Sequence, residues 1–202
     1  MSGRTAAMAE VALYTDYKSP FAYLAKDLAY ALELEYGVQI AWRHYTLNIP
    51  EYLDAVDTRT ARNWRKVKYS YMDARRLANK RGLTVRGPRK IFDSSTAGIA
   101  MYFAIERGEA VFRAYHDRVF ERFWKRELDL EDRAALIAVL AEAGADVAGF
   151  HSYVEGEGRT LHDRLIAEAE AAGVFGVPTF VYEGELFWGT DRIELLKERL
   201  AG

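Results

Sequence analysis

Two short segments of the chain carry residues that could act together in chemistry. The first, Asp16-Tyr17-Lys18-Ser19-Pro20, follows a short apolar stretch and precedes a run with helical periodicity. The second, Gly176-Val177-Pro178-Thr179-Phe180, leads into another strand pattern. Ser19 is a good helix N-cap and proline suits the first helical position, so we expect the Ser19 hydroxyl at the start of a helix. Beside the free N–H groups of a helix start, a hydroxyl can hydrogen-bond to an anion such as a thiolate.

The chain contains no cysteine, so a thiolate beside Ser19 would have to belong to another molecule. The simpler interpretation is that Ser19 only caps its helix, and with both segments present we favour both roles at once. Without cysteine there is no disulfide framework and no zinc–cysteine site. The four histidines have no i, i+4 spacing, so we expect no metal site; they are His44, His116, His151 and His162.

Composition is that of an ordinary globular protein. The chain has 202 residues, half of them hydrophobic, and a formal net charge of -2. No charge excess favours nucleic acid or an anionic membrane as partner. The first nine residues lack the apolar core of a secretory signal, and no later stretch is long enough to span a membrane. We therefore expect a cytoplasmic protein.

The periodicity divides the chain into two β-containing ends and a helical middle. Residues 11–14 and 38–44 read as strands on either side of a helix that begins at Pro20 and stops at Gly37, which makes a parallel βαβ unit. Near the end, strand patterns flank Glu183-Gly184-Glu185 as in a hairpin, and a last helix follows over about 190–200. The patterns between them predict helices over 62–80, 94–107, 110–122, 130–142 and 161–172.

This order predicts an α/β protein with a thioredoxin-like fold and an inserted all-helical domain. We place the thioredoxin-like domain at 10–50 and 173–202, discontinuous in sequence, and the insertion at 51–172. The chain resembles the DsbA-like branch of thioredoxin folds, and more narrowly the 2-hydroxychromene-2-carboxylate isomerases and kappa-class glutathione transferases. The resemblance covers nearly the whole chain. Three motifs carry it: Asp16-x-x-Ser19-Pro20-x-x-Tyr23-Leu24, Gly173-Val174-Phe175-Gly176-Val177-Pro178-Thr179-Phe180, and Leu186-Phe187-Trp188-Gly189-Thr190-Asp191-Arg192.

The resemblance implies glutathione as cofactor and Ser19 as the catalytic residue. Redox relatives hold a reactive cysteine at the position of Ser19, where this chain holds a hydroxyl. The resemblance also implies a cis bond between Val177 and Pro178, which would turn the Val177 backbone toward a peptide ligand. Thr190 and Asp191 would meet the γ-glutamyl end of glutathione. Alternatively, they only cap the last helix, with Asp191 and Glu194 as a capping box.

Lys66 and Asn48 complete the predicted glutathione site. In the family a lysine on a helix of the insertion reaches the ligand's glycine carboxylate or the substrate, and Lys66 matches it. A solvated lysine in a basic run is an equally good interpretation. Asn48 follows the second strand, where relatives carry a ligand-contacting asparagine. The resemblance also implies an aromatic-derived small-molecule substrate and a homodimer.

The resemblance implies three functions, of which we favour the first. The first is a glutathione-dependent isomerase in which a thiolate adds reversibly to an unsaturated substrate. The second is a kappa-like transferase that conjugates glutathione to an electrophile. The third is a cysteine-less DsbA-like protein that binds peptides without chemistry.

Overall fold

The computed structural model describes residues 8–202 and contains a four-stranded mixed sheet. The strands are β1 (Glu10–Thr15), β2 (Gln39–His44), β3 (Thr179–Tyr182) and β4 (Glu185–Trp188), in the order β2-β1-β3-β4. β1 and β2 are parallel, with Glu10 opposite Gln39 and Thr15 opposite His44. β3 is antiparallel to both β1 and β4. The two ends of the chain therefore form one sheet, as predicted.

Helix α1 (Pro20–Tyr36) connects the two parallel strands and starts and stops where the sequence predicts. The Ser19 side chain accepts a hydrogen bond from the Ala22 N–H at 3.2 Å, which confirms its role as N-cap. Gly37 ends the helix with φ 62°, a left-handed conformation that glycine adopts without steric cost.

The middle of the chain is helical. Its helices are α2 (Ile49–Leu53), α3 (Ala61–Lys80), α4 (Ser95–Ile105), α5 (Glu109–Lys125), α6 (Arg133–Glu142), α7 (Phe150–Glu155) and α8 (Glu157–Ala171). A 3-10 turn (Thr190–Arg192) and helix α9 (Ile193–Ala201) follow β4. The predicted α/β architecture with a helical segment between β2 and β3 is confirmed, and the domain boundaries stay a prediction.

Helix α4 joins the insertion to the sheet. Nearly all of its residues are buried, and it contacts β2 as well as α5 and α8. A Cβ on Gly98 would lie 2.2 Å from Cγ of the His44 ring, so only glycine allows this close approach. The buried side chains of the sheet and of the insertion form one continuous core.

Three details of the insertion differ from the prediction. The short helices α2 and α7 are too brief for a periodic pattern to reveal, and α8 begins four residues earlier than expected. Helix α6 begins at Arg133 rather than at Leu130, with Asp132 as its cap. The preceding acids have other partners: Asp129 accepts from the Glu131 N–H, and Glu131 accepts from Asp93 and Lys90.

Candidate active site

The two predicted segments meet at the start of α1. Ser19 and Val177 are 158 residues apart in sequence, yet Ser19 Oγ lies 3.4 Å from the Val177 carbonyl oxygen. The bond between Val177 and Pro178 is cis, as the resemblance implied. Ser19, Val177 and Pro178 are all buried, with only 5% of Ser19 exposed. The hydroxyl therefore lies beneath the surface, between a helix start and the loop that contains Val177 and Pro178.

The Ser19 hydroxyl has a proton available for a ligand. Its oxygen is occupied by the bond from the Ala22 N–H. Its own O–H points toward Val177 at 3.4 Å, which is longer than the 2.5–3.0 Å typical of a hydroxyl donor. Within residues 8–202 the Val177 N–H has no hydrogen-bond acceptor. Ser19 and Val177 thus supply a hydroxyl donor and a backbone donor to the same cavity lining.

This cavity has a volume of about 710 Å³, which is within the usual range for a ligand site. Lys66 and Asn48 line it together with Ser19 and Val177. Asn48 Nδ2 donates to Glu51 at 2.9 Å, so a ligand would have to compete for that amide. Lys66 is exposed and makes no ion pair among the described residues. Four of the predicted site residues therefore line one cavity.

Thr190 and Asp191 lie beside this cavity but not in its lining. Gly189 N–H donates to the Pro178 carbonyl at 2.9 Å, so the turn that contains both residues starts next to the buried loop. The Asp191 carboxylate is exposed and pairs with Arg192 at 2.6 Å. The alternative interpretation of Asp191 and Glu194 as a capping box is wrong, because Arg192 occupies the cap position of α9 and its side chain makes no capping bond.

A buried carboxylate, Asp16, joins the two loops of the site. Its oxygens accept from the Lys18 N–H at 3.1 Å and from the Leu47 N–H at 2.8 Å. The Lys18 ammonium lies 3.5 Å away and also donates to the Phe92 carbonyl. Burial raises the pKa of Asp16, and the Lys18 charge and both N–H bonds oppose that rise. Asp16 therefore ties the Ser19 loop to the loop after β2 that carries Asn48.

Sequence reasoning did not identify several residues of the cavity wall. Trp188 lies against the buried loop, where a Cβ on Gly176 would come within 2.9 Å of its indole nitrogen. Phe175 packs on Trp188 with ring centroids 4.8 Å apart. Both residues stand in the quoted motifs, which gave a usable signal for them. Lys18, next to Ser19 in the first segment, also lines the cavity, whereas only the fold brings Tyr45 and Glu170 there.

Within residues 8–202, no group of three or more His, Asp or Glu side chains could hold a metal ion. None of the helices in that part of the chain is both long and apolar enough to cross a membrane.

The fold and the serine-bearing site define a class. Residues 10–201 match the model of the DSBA-like thioredoxin domain. The chain belongs to the DsbA-like thioredoxin family.

Within that family, the chain is similar to proteins with one shared name. It is 30% identical to the 2-hydroxychromene-2-carboxylate isomerase of Pseudomonas putida, over 94% of this chain and 93% of that protein. It is 27% identical to the enzyme of the same name from Sphingobium xenophagum, over 93% and 95%. A solved 2-hydroxychromene-2-carboxylate isomerase superposes with a TM-score of 0.75 at 27% identity, over 95% and 94%. A probable DsbA oxidoreductase from Streptomyces coelicolor shares the fold alone, with a TM-score of 0.74 at 18% identity, over 96% and 88%.

Proposed function

We propose that this protein is a glutathione-dependent isomerase of 2-hydroxychromene-2-carboxylate or a related aromatic-derived acid. The observation that carries the proposal is Ser19: a buried hydroxyl at a helix start, facing the Val177 loop, in a chain without cysteine. The names of the relatives, at up to 30% identity over more than nine-tenths of the chain, support the reaction type.

The chemistry of the cavity suits glutathione. The peptide has two carboxylates, one ammonium and a thiol, and the lining offers cations, carboxylates and a hydroxyl donor: Lys18, Lys66, Glu51, Glu170 and Ser19. Bound glutathione would supply a nucleophilic sulfur whose reversible addition to a conjugated double bond permits rotation about that bond.

Each predicted residue then has a defined task. The Ser19 O–H donates to the thiol sulfur and, with the free N–H groups of the α1 start, favours its charged form. The Val177 N–H pairs with the peptide backbone. Lys66 and Asn48 hold the glycine carboxylate end, and Thr190 and Asp191 hold the γ-glutamyl end. The aromatic wall formed by Tyr45, Phe175 and Trp188 provides an apolar surface for the substrate ring.

Glutathione binding and turnover test the proposal together. Glutathione at about a hundred times its Kd should stabilise the protein by roughly 2.7 kcal/mol, which corresponds to a rise in Tm of several degrees. Asp191→Ala should lose most of that rise. Glu198→Ala, which also removes an exposed acid near the end of the chain, should keep it.

The substrates separate the alternatives. With glutathione present, we expect turnover of 2-hydroxychromene-2-carboxylate and slow or no conjugation of a generic electrophile. The reverse pattern would favour a kappa-like transferase. No thermal shift at millimolar glutathione would instead favour a peptide-binding protein without chemistry.

A further inference from the structure

A second cavity, of about 430 Å³, adjoins the candidate active site along helix α3. With 3.6 residues per turn, Trp64, Lys68 and Arg75 share one side of α3, and all three line the second cavity. Lys66 and Ser70 point to the other side and line the first. Helix α3 thus contributes residues to the lining of both cavities.

The two cavities are adjacent. Five residues line both: Lys18, Ile49, Leu53, Val67 and Tyr71. A ligand with its reactive part near Ser19 can therefore extend past α3 into the second cavity.

The second cavity combines apolar walls with positive charge. Its apolar lining includes Val56, Trp64, Ile91 and Phe92. Its lining contains no acidic residue, although it contains seven basic ones: Lys18, Arg59, Lys68, Arg75, Arg89, Lys90 and Arg126. The chain as a whole has a net charge of -2, so this concentration of cations is local. An apolar pocket with cations at its edge suits an aromatic anion.

Five of the seven cations form no ion pair among the described residues. Lys18 is paired with Asp16, and Lys90 with Glu131. By contrast, no ion pair involves Lys68, Arg75 or Arg89 among the described residues; all three are exposed.

Two other arginines are anchored to the walls. The Arg59 guanidinium donates to the Leu53 carbonyl at 2.8 Å, and Arg126 Nε donates to the Gly87 carbonyl at 2.7 Å. They leave further N–H groups, since a guanidinium has five donors.

The phenol of Tyr71, which lines both cavities, is affected by the charges of two of these arginines. Burial raises the pKa of its phenol to about 12, and the charges of Arg59 and Arg75 oppose the rise. Both guanidinium groups therefore lie close enough to affect a phenol on the shared wall.

The wall opposite α3 is tied to helix α5. The Arg86 N–H donates to the Trp124 carbonyl at 2.9 Å, next to the bond between Arg126 and Gly87. At its other end, the Asp93 N–H donates to Glu131 at 2.8 Å. The segment that carries Arg89 is therefore fixed at both ends, which limits the ordering cost of binding.

We propose that the second cavity is an anion subsite for the substrate, and that the preferred substrate is aromatic-derived with at least two negative charges from carboxylate or phosphate groups. A single carboxylate would neutralise only one of the five cations that form no ion pair among the described residues. The subsite deepens the proposed function, because its use in the reaction rests on the first cavity being the thiol site.

The test uses small aromatic anions as probes for the full chain, with no glutathione present. Phthalate carries two carboxylates, benzoate one, and phenyl phosphate a doubly charged phosphate. By isothermal titration at low salt, we expect phthalate or phenyl phosphate to bind about tenfold or more tightly than benzoate. The tighter of the two doubly charged probes identifies the preferred anion, carboxylate or phosphate.

Matched variants locate the binding. Arg75→Gln on α3 and Arg89→Gln on the opposite wall should each weaken the doubly charged probe by about fivefold or more. Arg76→Gln changes an exposed arginine one position along α3 and outside both cavities, and should leave binding within about twofold. Equal affinity for benzoate and both doubly charged probes would overturn the proposal. So would an equal loss in the Arg75 and Arg76 variants, which would indicate general surface attraction.

Glutathione binding on the same samples separates this proposal from the function. Arg75→Gln should keep the full glutathione thermal shift. If the probes bind in an Arg75-dependent way but glutathione causes no thermal shift, the subsite is supported and the thiol-dependent function is contradicted. If glutathione raises the Tm as expected but doubly charged probes are not preferred, only the subsite proposal is contradicted.

Discussion

Ser19 uses its hydroxyl oxygen and its hydroxyl hydrogen differently. The oxygen accepts the Ala22 N–H and caps α1, which is a structural task. The hydrogen has only a long contact with the Val177 carbonyl and remains available to a ligand. Because the same hydroxyl caps α1 and is available to a ligand, a substitution that removes it should change both stability and activity.

The first prediction concerns Ser19→Ala. A hydrogen bond to a charged group is worth about 1.5–3 kcal/mol, so the variant should lower the isomerisation rate about tenfold to a hundredfold at neutral pH. Losing the cap should cost about 1 kcal/mol of unfolding free energy. Rates are measured well below the melting transition, and stability is measured by urea unfolding.

Asp132→Ala is the matched control for the loss of the cap. Asp132 caps α6 through the same kind of bond, to the Ala135 N–H at 3.1 Å, and lines neither cavity. It should lose similar stability and keep full activity. Ser19→Asn should largely keep the cap but misplace the donor, and so be stable and slow. Full activity per folded molecule in Ser19→Ala would show that the serine is only a cap.

At the scale of elements, sequence reasoning identified every strand but not every wall of the site. Alternation and turn residues locate β1 to β4, since these patterns are local. The cap at Ser19 and the stop at Gly37 are local as well. The lining of a cavity is not local, because Lys18 lines both cavities together with residues of α2 and α3 that are distant in sequence. Short α2 carries too few residues for a periodic signal.

The buried Asp16 illustrates the same limit. Its place in the first motif suggested importance, but its partners Leu47 and Lys18 depend on how two loops meet. Only the folded chain shows that this carboxylate holds the Ser19 loop against the loop after β2. This role of Asp16 could not be predicted from the sequence.

A double-mutant cycle tests the link between Asp16 and Lys18. Removing one partner leaves the charge of the other buried without a counter-charge. Asp16→Asn and Lys18→Met should therefore each lower the unfolding free energy, by at most about 3–5 kcal/mol. The double variant should lose less than the sum by at least about 1 kcal/mol. Urea unfolding of the four proteins measures the coupling. Strict additivity would mean that the 3.5 Å contact contributes nothing.

At the scale of the whole molecule, the absence of cysteine sets the redox behaviour. Several proteins of the same fold are named for disulfide chemistry, whereas this chain has no sulfur nucleophile of its own. We expect no reduction of a protein disulfide without added thiol. Ser19→Cys is the informative variant, because its thiol would lie at the helix start and should form a mixed disulfide with oxidised glutathione, detectable by mass. Turnover of a disulfide by the natural chain alone would contradict this reading.

The second whole-molecule prediction concerns acid stability. Burial lowers the pKa of His44 and of His116 well below the ordinary value of 6.5, and it also lowers that of His162. The unfolded chain binds protons at these positions as pH falls through 6.5, and the folded chain does not. Their contribution to stability is therefore complete above pH 6.5 and is lost as pH falls below it. Burial raises the pKa of Asp16, which changes stability with pH in the opposite direction. The contribution of one histidine is therefore measured by comparing a histidine variant with the natural chain.

His116→Gln provides that comparison. His116 packs among aromatic rings, and its Nδ1 lies 2.8 Å from the Tyr17 hydroxyl, a contact that a glutamine amide can replace. Between pH 7.5 and 5.5, the variant should lose about 1.4 kcal/mol less unfolding free energy than the natural chain, which corresponds to one buried histidine. His151→Gln, at an exposed position on α7, should behave like the natural chain. The measured quantity is the change with pH, so a lower stability of His116→Gln at pH 7.5 does not affect the test. Equal pH dependence in all three proteins would show that His116 takes up its proton in the folded state.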